Sequence, residues 1–245
     1  MRTKDCFGLA LAVTLASSAS GLDENKGPAE ADLYLHLKNA FKNPGEQPGL
    51  PRVLLIGDSI SIGYTIPVRK QLEGKANIFR PPVNCQHTGY GLAHLKTWLG
   101  TNKWDVIHFN WGIWDTHLLD EKGTLVPSPE NMTGATPLHI RYTPEQYREN
   151  LTALVKILKG TGAKLIWADS TPVMSRTGAR FEDIIIRNAV ADEIMRAEGV
   201  AINDLYHFVL PNVKEWQHAD RVHFNDTGCN RLGERVSEAI LSSLR

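Results

Sequence analysis

Neither sign of charge dominates this sequence. Its 27 lysines and arginines are balanced by 27 aspartates and glutamates, so it lacks the long-range positive field that holds nucleic acid or an anionic membrane surface. No nucleic acid and no membrane is expected as a partner. Long apolar runs are scarce: Phe7 to Ala16 is about ten residues, half of what a membrane-spanning helix needs, and nothing later reaches that length. Cysteine is limited to Cys6, Cys85 and Cys229. His218 and His223 have no third ligand at a familiar spacing, so no metal site is expected. The Walker lysine and the Gly-x-Gly-x-x-Gly fingerprint are also missing, so no nucleotide cofactor is expected, and the cofactor expectation as a whole is none.

What is present begins with Arg2 and Lys4 ahead of that short apolar run, followed by Ser17, Ser18, Ala19, Ser20 and Gly21. This is the layout of a secretory signal peptide over residues 1–21 and points to a secreted or periplasmic protein. Residues 22–50 read as a polar linker with an amphipathic helix at 31–41, and 51–245 as one domain. Export leaves Cys85 and Cys229 in an oxidising compartment. Asn131, Asn150 and Asn225 head Asn-x-Ser/Thr triplets, which matter only in a eukaryotic secretory host.

From Pro51 onward, apolar runs at 52–56, 76–80, 105–111, 163–168 and 199–203 alternate with helical periodicity at 62–73, 89–100, 144–160, 181–198 and 226–244, and with a helical turn at 204–210. Alternation of this kind requires crossover connections. It predicts an α/β fold of three layers, helices covering both faces of a parallel sheet. The stretch 116–143 has little periodicity and follows the third strand at the carboxyl edge, where open α/β sheets bind ligands. It is read as a substrate-facing loop.

The first strand ends in Gly57-Asp58-Ser59. A serine at the junction of strand and helix sits beside unpaired backbone N–H groups that suit an oxyanion. It reacts only with a base that a third group orients. Asp220-Arg221-Val222-His223 supplies such a pair, since residues three apart on a turn face the same way. The expected catalytic residues are Ser59, His223 and Asp220.

Gly57-Asp58-Ser59 near one end and Asp220-x-x-His223 near the other resemble the first and fifth sequence blocks of the SGNH (GDSL) hydrolases, over about residues 51–244. The resemblance implies a flavodoxin-like α/β/α sandwich and ester hydrolysis by a Ser-His-Asp triad. It implies an oxyanion hole of the Ser59 N–H, a second-block N–H and a third-block side chain. The second block puts Asn84 or Cys85 at the family's glycine, with Gly89 as an alternative. The third block, Gly112-Ile113-Trp114-Asp115, has Trp114 where the family has asparagine; indole has one N–H to donate, and Asn110 is a second candidate. Asp58, Trp111 and Asp115 are assigned to substrate binding. Trp111 and Trp114, an odd number apart along a strand, point to opposite faces, one of them toward a sugar ring.

Thr171 and Arg176, beyond the fourth strand, are candidates for substrate contact. The same resemblance puts Cys85 and Cys229 beside the site and makes a disulfide between them an expectation. Export, balanced charge and tryptophans near the site favour a small acyl ester, foremost acetyl, on a carbohydrate. An inactive carbohydrate-binding relative and a lipase or thioesterase are the alternatives.

Overall fold

The computed structural model describes residues 38–126, 137–173 and 181–245. The expected signal peptide, the linker, most of the 31–41 helix, Asn131 and Arg176 lie outside them. Five strands, β1 (Arg52–Ile56), β2 (Asn77–Phe79), β3 (Val106–Phe109), β6 (Lys164–Ala168) and β7 (Ala201–Asn203), form one sheet in the order β2-β1-β3-β6-β7. Every pairing is parallel, and this is the flavodoxin-like strand order. Register positions the site: Ile56 pairs with Phe109, and Phe109 with Trp167. The three central strands therefore end level, and the chain leaves each of them at one carboxyl edge.

Alternation along β1 divides the core. Val53 and Leu55 pack with Tyr64 and Val68 of α1 (Ser59–Gln71) and with Leu232, Val236 and Ile240 of α7 (Asp226–Leu244). Leu54 and Ile56 face the opposite layer, with Leu95 of α2 (Thr88–Leu99), Leu151 and Leu158 of α3 (Pro144–Lys159) and Met195 of α4 (Phe181–Glu198). Helix starts follow their caps. Asp58, His87 and Asn225 each accept a first-turn N–H, and Thr143 with Gln146 closes a capping box ahead of Pro144. Among the described residues no helix is long and apolar enough to cross a membrane.

Three segments differ from expectation. β3 stops at Phe109 rather than 111, because Asn110 to Gly112 turn across the sheet edge into a 3-10 turn at Ile113–Thr116. Part of the 116–143 loop is ordered as an antiparallel ladder, β4 (Leu118–Leu119) on β5 (His139–Ile140), too short for its periodicity to register. The turn α5 (Leu205–Val209) continues through Leu210–Asn212 into α6 (Val213–Trp216).

Packing of α1 on α7 is unusually close. A Cβ on Gly233 would lie 2.4 Å from Pro67 Cβ, and one on Gly63 would lie 3.0 Å from Cys229 Sγ. Behind the third block, buried Asp115 accepts from the Thr88 N–H (3.0 Å) and the Thr88 hydroxyl (2.5 Å), which docks the first turn of α2. Burial pushes its carboxyl up to about 7, against the lowering effect of the Thr88 hydrogen bonds.

Two outcomes follow. Gly233→Ala is expected to destabilise by about 1–3 kcal/mol through overpacking, read by urea unfolding. Gly45→Ala, with nothing within 4 Å of its new methyl, is expected to stay within about 0.5 kcal/mol. The Asp115 carboxyl binds its proton more tightly folded than unfolded, so its contribution is full below the unfolded pKa and is lost as pH rises through about 7. Stability should therefore decline between pH 4 and 7, by up to about 1.4 kcal/mol per pH unit, and Asp115→Asn should flatten that decline. An Asn variant with the wild-type pH profile would remove this account of Asp115.

Candidate active site

The first contributor is the turn after β1. A Cβ at Gly57 would lie 2.9 Å from Ser61 Cβ, so the chain can turn this tightly only at glycine. Asp58 Oδ1 accepts from the Ile60 N–H (2.9 Å) and caps α1, and Ser61 Oγ donates to Asp58 O (2.9 Å). Ser59 is thereby the first residue of α1, half-buried, with its N–H in the turn that lacks intrahelical acceptors.

The second contributor is the loop between α6 and α7. Gln217 bridges Phe224, the Asn225 N–H donates to Trp216 O (2.9 Å) and the His218 N–H to His223 O (2.8 Å). Arg221 closes the turn in the left-handed region at φ 57. Asp220 Oδ1 accepts from the N–H groups of Val222 and His223, both at 2.9 Å. Its Oδ2 lies 2.7 Å from His223 Nδ1, and His223 Nε2 lies 2.8 Å from Ser59 Oγ. Burial raises the Asp220 carboxyl, but hydrogen bonds from the His223 ring and the Val222 N–H outweigh it, leaving a value of about 2. Asp220 is thus ionised across the working range and fixes the imidazole with its unprotonated Nε2 toward the serine. The structure brings together Ser59, His223 and Asp220, three residues from opposite ends of the chain.

The donors expected to face an oxyanion divide. The Cys85 N–H donates to Gly57 O (3.2 Å), so it is engaged within the fold. Asn110 Nδ2 donates to Ala168 O (2.7 Å) and to Ser170 Oγ (3.2 Å), which ties β3 to β6. Neither is available to substrate. Gly89 lies in the first turn of α2, where a Cβ would strike the Tyr142 hydroxyl. Trp114 is half-buried, its ring 4.9 Å from that of His117 and its carbonyl accepting from Arg141 Nε (3.0 Å). Its indole N–H is bonded to no described residue. Of the expected donors, the Ser59 N–H and the Trp114 indole N–H are the two that no described hydrogen bond engages.

The three residues assigned to substrate all face inward. Trp111 is fully buried against Gly91 and donates through Nε1 to Cys85 O (3.2 Å). Asp115 is buried under α2, as described, and Asp58, 2% exposed, caps α1. Trp111 and Trp114 both lie beyond the end of β3, so strand alternation does not set their faces as expected. Thr171 is 2% exposed, its hydroxyl turned inward. Cys85 and Cys229 are both thiols: Cys85 packs in one core layer and Cys229 against the other, with the sheet between them. Burial pushes their pKa values up to about 11 and 12. The amide nitrogens of two of the Asn-x-Ser/Thr triplets are engaged too, Asn150 Nδ2 with Thr88 Oγ1 (3.1 Å) and Asn225 Nδ2 with Glu215 O (2.7 Å).

One residue of the site escaped the reading of the sequence. Arg80, 1% exposed, follows β2 and lies beneath the Ser59 turn, donating to Thr65 Oγ1 (2.8 Å), Ser61 Oγ (3.2 Å) and Gly57 O (3.4 Å). Its signal was a lone arginine closing an apolar run before Pro81-Pro82. Among the described residues no group of three or more His, Cys, Asp or Glu is arranged to hold a metal ion.

No family model matches the chain, and no curated protein matches it in sequence. Solved structures do. A lipase/acylhydrolase from Enterococcus faecalis is 21% identical with a TM-score of 0.62, over 79% of this chain and 96% of that one. A GDSL-like lipase from Bacteroides thetaiotaomicron is 16% identical with a TM-score of 0.61, over 87% and 98%. An acetylxylan esterase from Geobacillus stearothermophilus is 15% identical with a TM-score of 0.60, over 79% and 94%. With its β2-β1-β3-β6-β7 parallel sheet and its serine at the end of the first strand, this chain has the fold of the SGNH (GDSL) hydrolases.

Proposed function

We propose that this protein is an exported serine esterase that removes small acyl groups, foremost acetyl, from carbohydrate. The observation that carries the reading is the unbroken run of hydrogen-bond contacts from Asp220 through His223 to Ser59, at 2.7 and 2.8 Å. In the proposed reaction, His223 Nε2 takes the proton of Ser59 Oγ as that oxygen attacks the ester carbonyl carbon. The carbonyl π electrons move onto oxygen, where the Ser59 N–H and the Trp114 indole N–H donate to the oxyanion. Collapse of this intermediate breaks the bond to the alcohol oxygen, which leaves with the proton from His223. Water then attacks the acyl-serine through the same steps and releases the carboxylic acid.

Three observations support the finer reading. Arg2 and Lys4 ahead of the short apolar run favour export. Half-exposed rings of Tyr90, His94 and Trp98, with centroids 4.2 and 6.0 Å apart, line α2 downstream of the second block, a surface suited to sugar rings. One of the structures of the same fold is an acetylxylan esterase.

Ser59→Ala is expected to lower kcat for p-nitrophenyl acetate by at least about 10^3-fold, and Asp220→Ala by about 10^3 to 10^4; equal rates for wild type and Ser59→Ala would end the esterase reading. Trp114→Phe keeps an aromatic side chain and removes the indole N–H, its only donor. It should lower kcat by about 10^2-fold with KM unchanged, and an unaltered kcat would remove the indole from the oxyanion hole. Acyl esters of increasing chain length, measured beside acetylated xylan, test the substrate: a preference for long acyl chains would favour a lipase or thioesterase.

A further inference from the structure

Beside the Ser59 turn lies a small cavity whose walls include Asp58, Asn110, Ser170 and Thr171. Two polar atoms of these wall residues have no partner among the described residues, although each is sealed from solvent: Asp58 Oδ2 and Thr171 Oγ1. Both residues are 2% exposed. A buried carboxylate oxygen or hydroxyl without a hydrogen bond is destabilising by about 1–3 kcal/mol, and such pairs in native proteins are usually bridged by ordered water.

We propose that this cavity binds one ordered water molecule, held between Asp58 Oδ2 and the Thr171 hydroxyl, and that it fastens the nucleophile turn to the end of β6. The space is about 10 Å³, the least that admits a single water, for which about 10–15 Å³ is required. The polar groups suit it. Asp58 Oδ2 accepts one water proton, Thr171 Oγ1 donates or accepts, and Ser170 Oγ, which accepts from Asn110, has its own proton to give. A cation fits less well: Ile60, Ile113, Ala168 and Leu205 form much of the remaining wall beside Asp169, and among the described residues no three His, Cys, Asp or Glu are grouped to hold a metal ion.

The connection gives Asp58 a task beyond its cap. Oδ1 holds the Ile60 N–H, and Oδ2, through the water, reaches a residue three positions past β6. The carboxylate is thereby held at both oxygens, and the residue after it is Ser59. Thr171 is in this view a positioning residue for the nucleophile and has no contact with substrate.

A crystal structure of the wild type is expected to show one water within hydrogen-bond distance of both atoms. Thr171→Val, of the same shape, removes one anchor. It should lower the thermal midpoint by about 2–4 °C and kcat for p-nitrophenyl acetate about 10-fold with KM unchanged, while Thr171→Ser restores both. No density in the cavity, density with six oxygen ligands, or a Val variant identical to wild type in midpoint and kcat would overturn the proposal. Density and midpoint do not depend on ester hydrolysis, so an inactive wild type would remove the esterase reading and leave this site to be decided by them.

Discussion

His223 reaches Ser59 because the first and last long helices pack backbone against side chain with no room between them. An added carbon at Gly233 would overlap the ring of Pro67, and one at Gly63 would lie 3.0 Å from Cys229 Sγ, tight against it. Small residues at both crossings let α7 settle against α1 and so bring the residues before α7 to those that begin α1. A third glycine sets the approach: at Gly228 a Cβ would lie 2.6 Å from Trp216 O, so the end of α6 rests on the first turn of α7. The intervening loop is closed at its base by the Gln217 to Phe224 bridge and tied to β6 by Gln217 Nε2 on Pro172 O (2.7 Å). An imidazole held to 2.8 Å across 164 residues of sequence is a product of helix packing, with the loop adding only direction.

Charge beneath the turn is arranged on the same principle. Among the described residues no carboxylate touches the buried Arg80, and its guanidinium donates to neutral oxygens, Gly57 O among them. Burial pulls the Asp58 carboxyl toward neutrality, while the Ile60 N–H and the charges of His223 and Arg80 act in the opposite sense. A buried cation surrounded by hydroxyls and carbonyls gains little stability from its charge, since desolvation offsets it. Its benefit is geometric, because a planar fork with fixed N–H directions holds the Gly57 peptide, and the two residues after it, in one orientation.

Much of this was legible in the sequence. Alternating periodicity marked five strands and their helices, often to within a residue, since caps such as Asp58, Thr143 and Asn225 are read locally. Spacing served less well for chemistry. Asp204-Leu-Tyr-His207 repeats the Asp-x-x-His pattern, with His207 Nδ1 2.8 Å from Asp204 Oδ2, yet it caps α5 and faces no serine. Only the tertiary fold separates the two pairs. The donors and substrate contacts were legible only in part because polar type does not reveal direction. Asn110, Cys85, Asp58, Trp111 and Asp115 all belong to the blocks that build the edge, and the structure uses each of them to hold that edge together. A short ladder such as β4 on β5 is too brief to leave a period, and Arg80 was hidden because its acceptors are backbone and hydroxyl oxygens distant in sequence.

The third block shows how one edge accommodates a tryptophan where the family resemblance leads one to expect an asparagine. Asparagine can hold a backbone and offer a donor with a single short amide. Here those tasks are separated. Asn110 spans from β3 to Ala168 O, and Tyr147 donates to Trp111 O at 2.9 Å, so the turn is anchored before the chain reaches Gly112. At Gly112 a Cβ would lie 2.2 Å from Ser170 Oγ, and the backbone therefore passes directly over the β6 exit. Once past it, Trp114 has no structural hydrogen bond to make with its ring; Arg141 holds its carbonyl and His117 flanks its face. With the anchoring done by neighbours, the side chain at this position is free to be large, and its single N–H is bonded to no described residue.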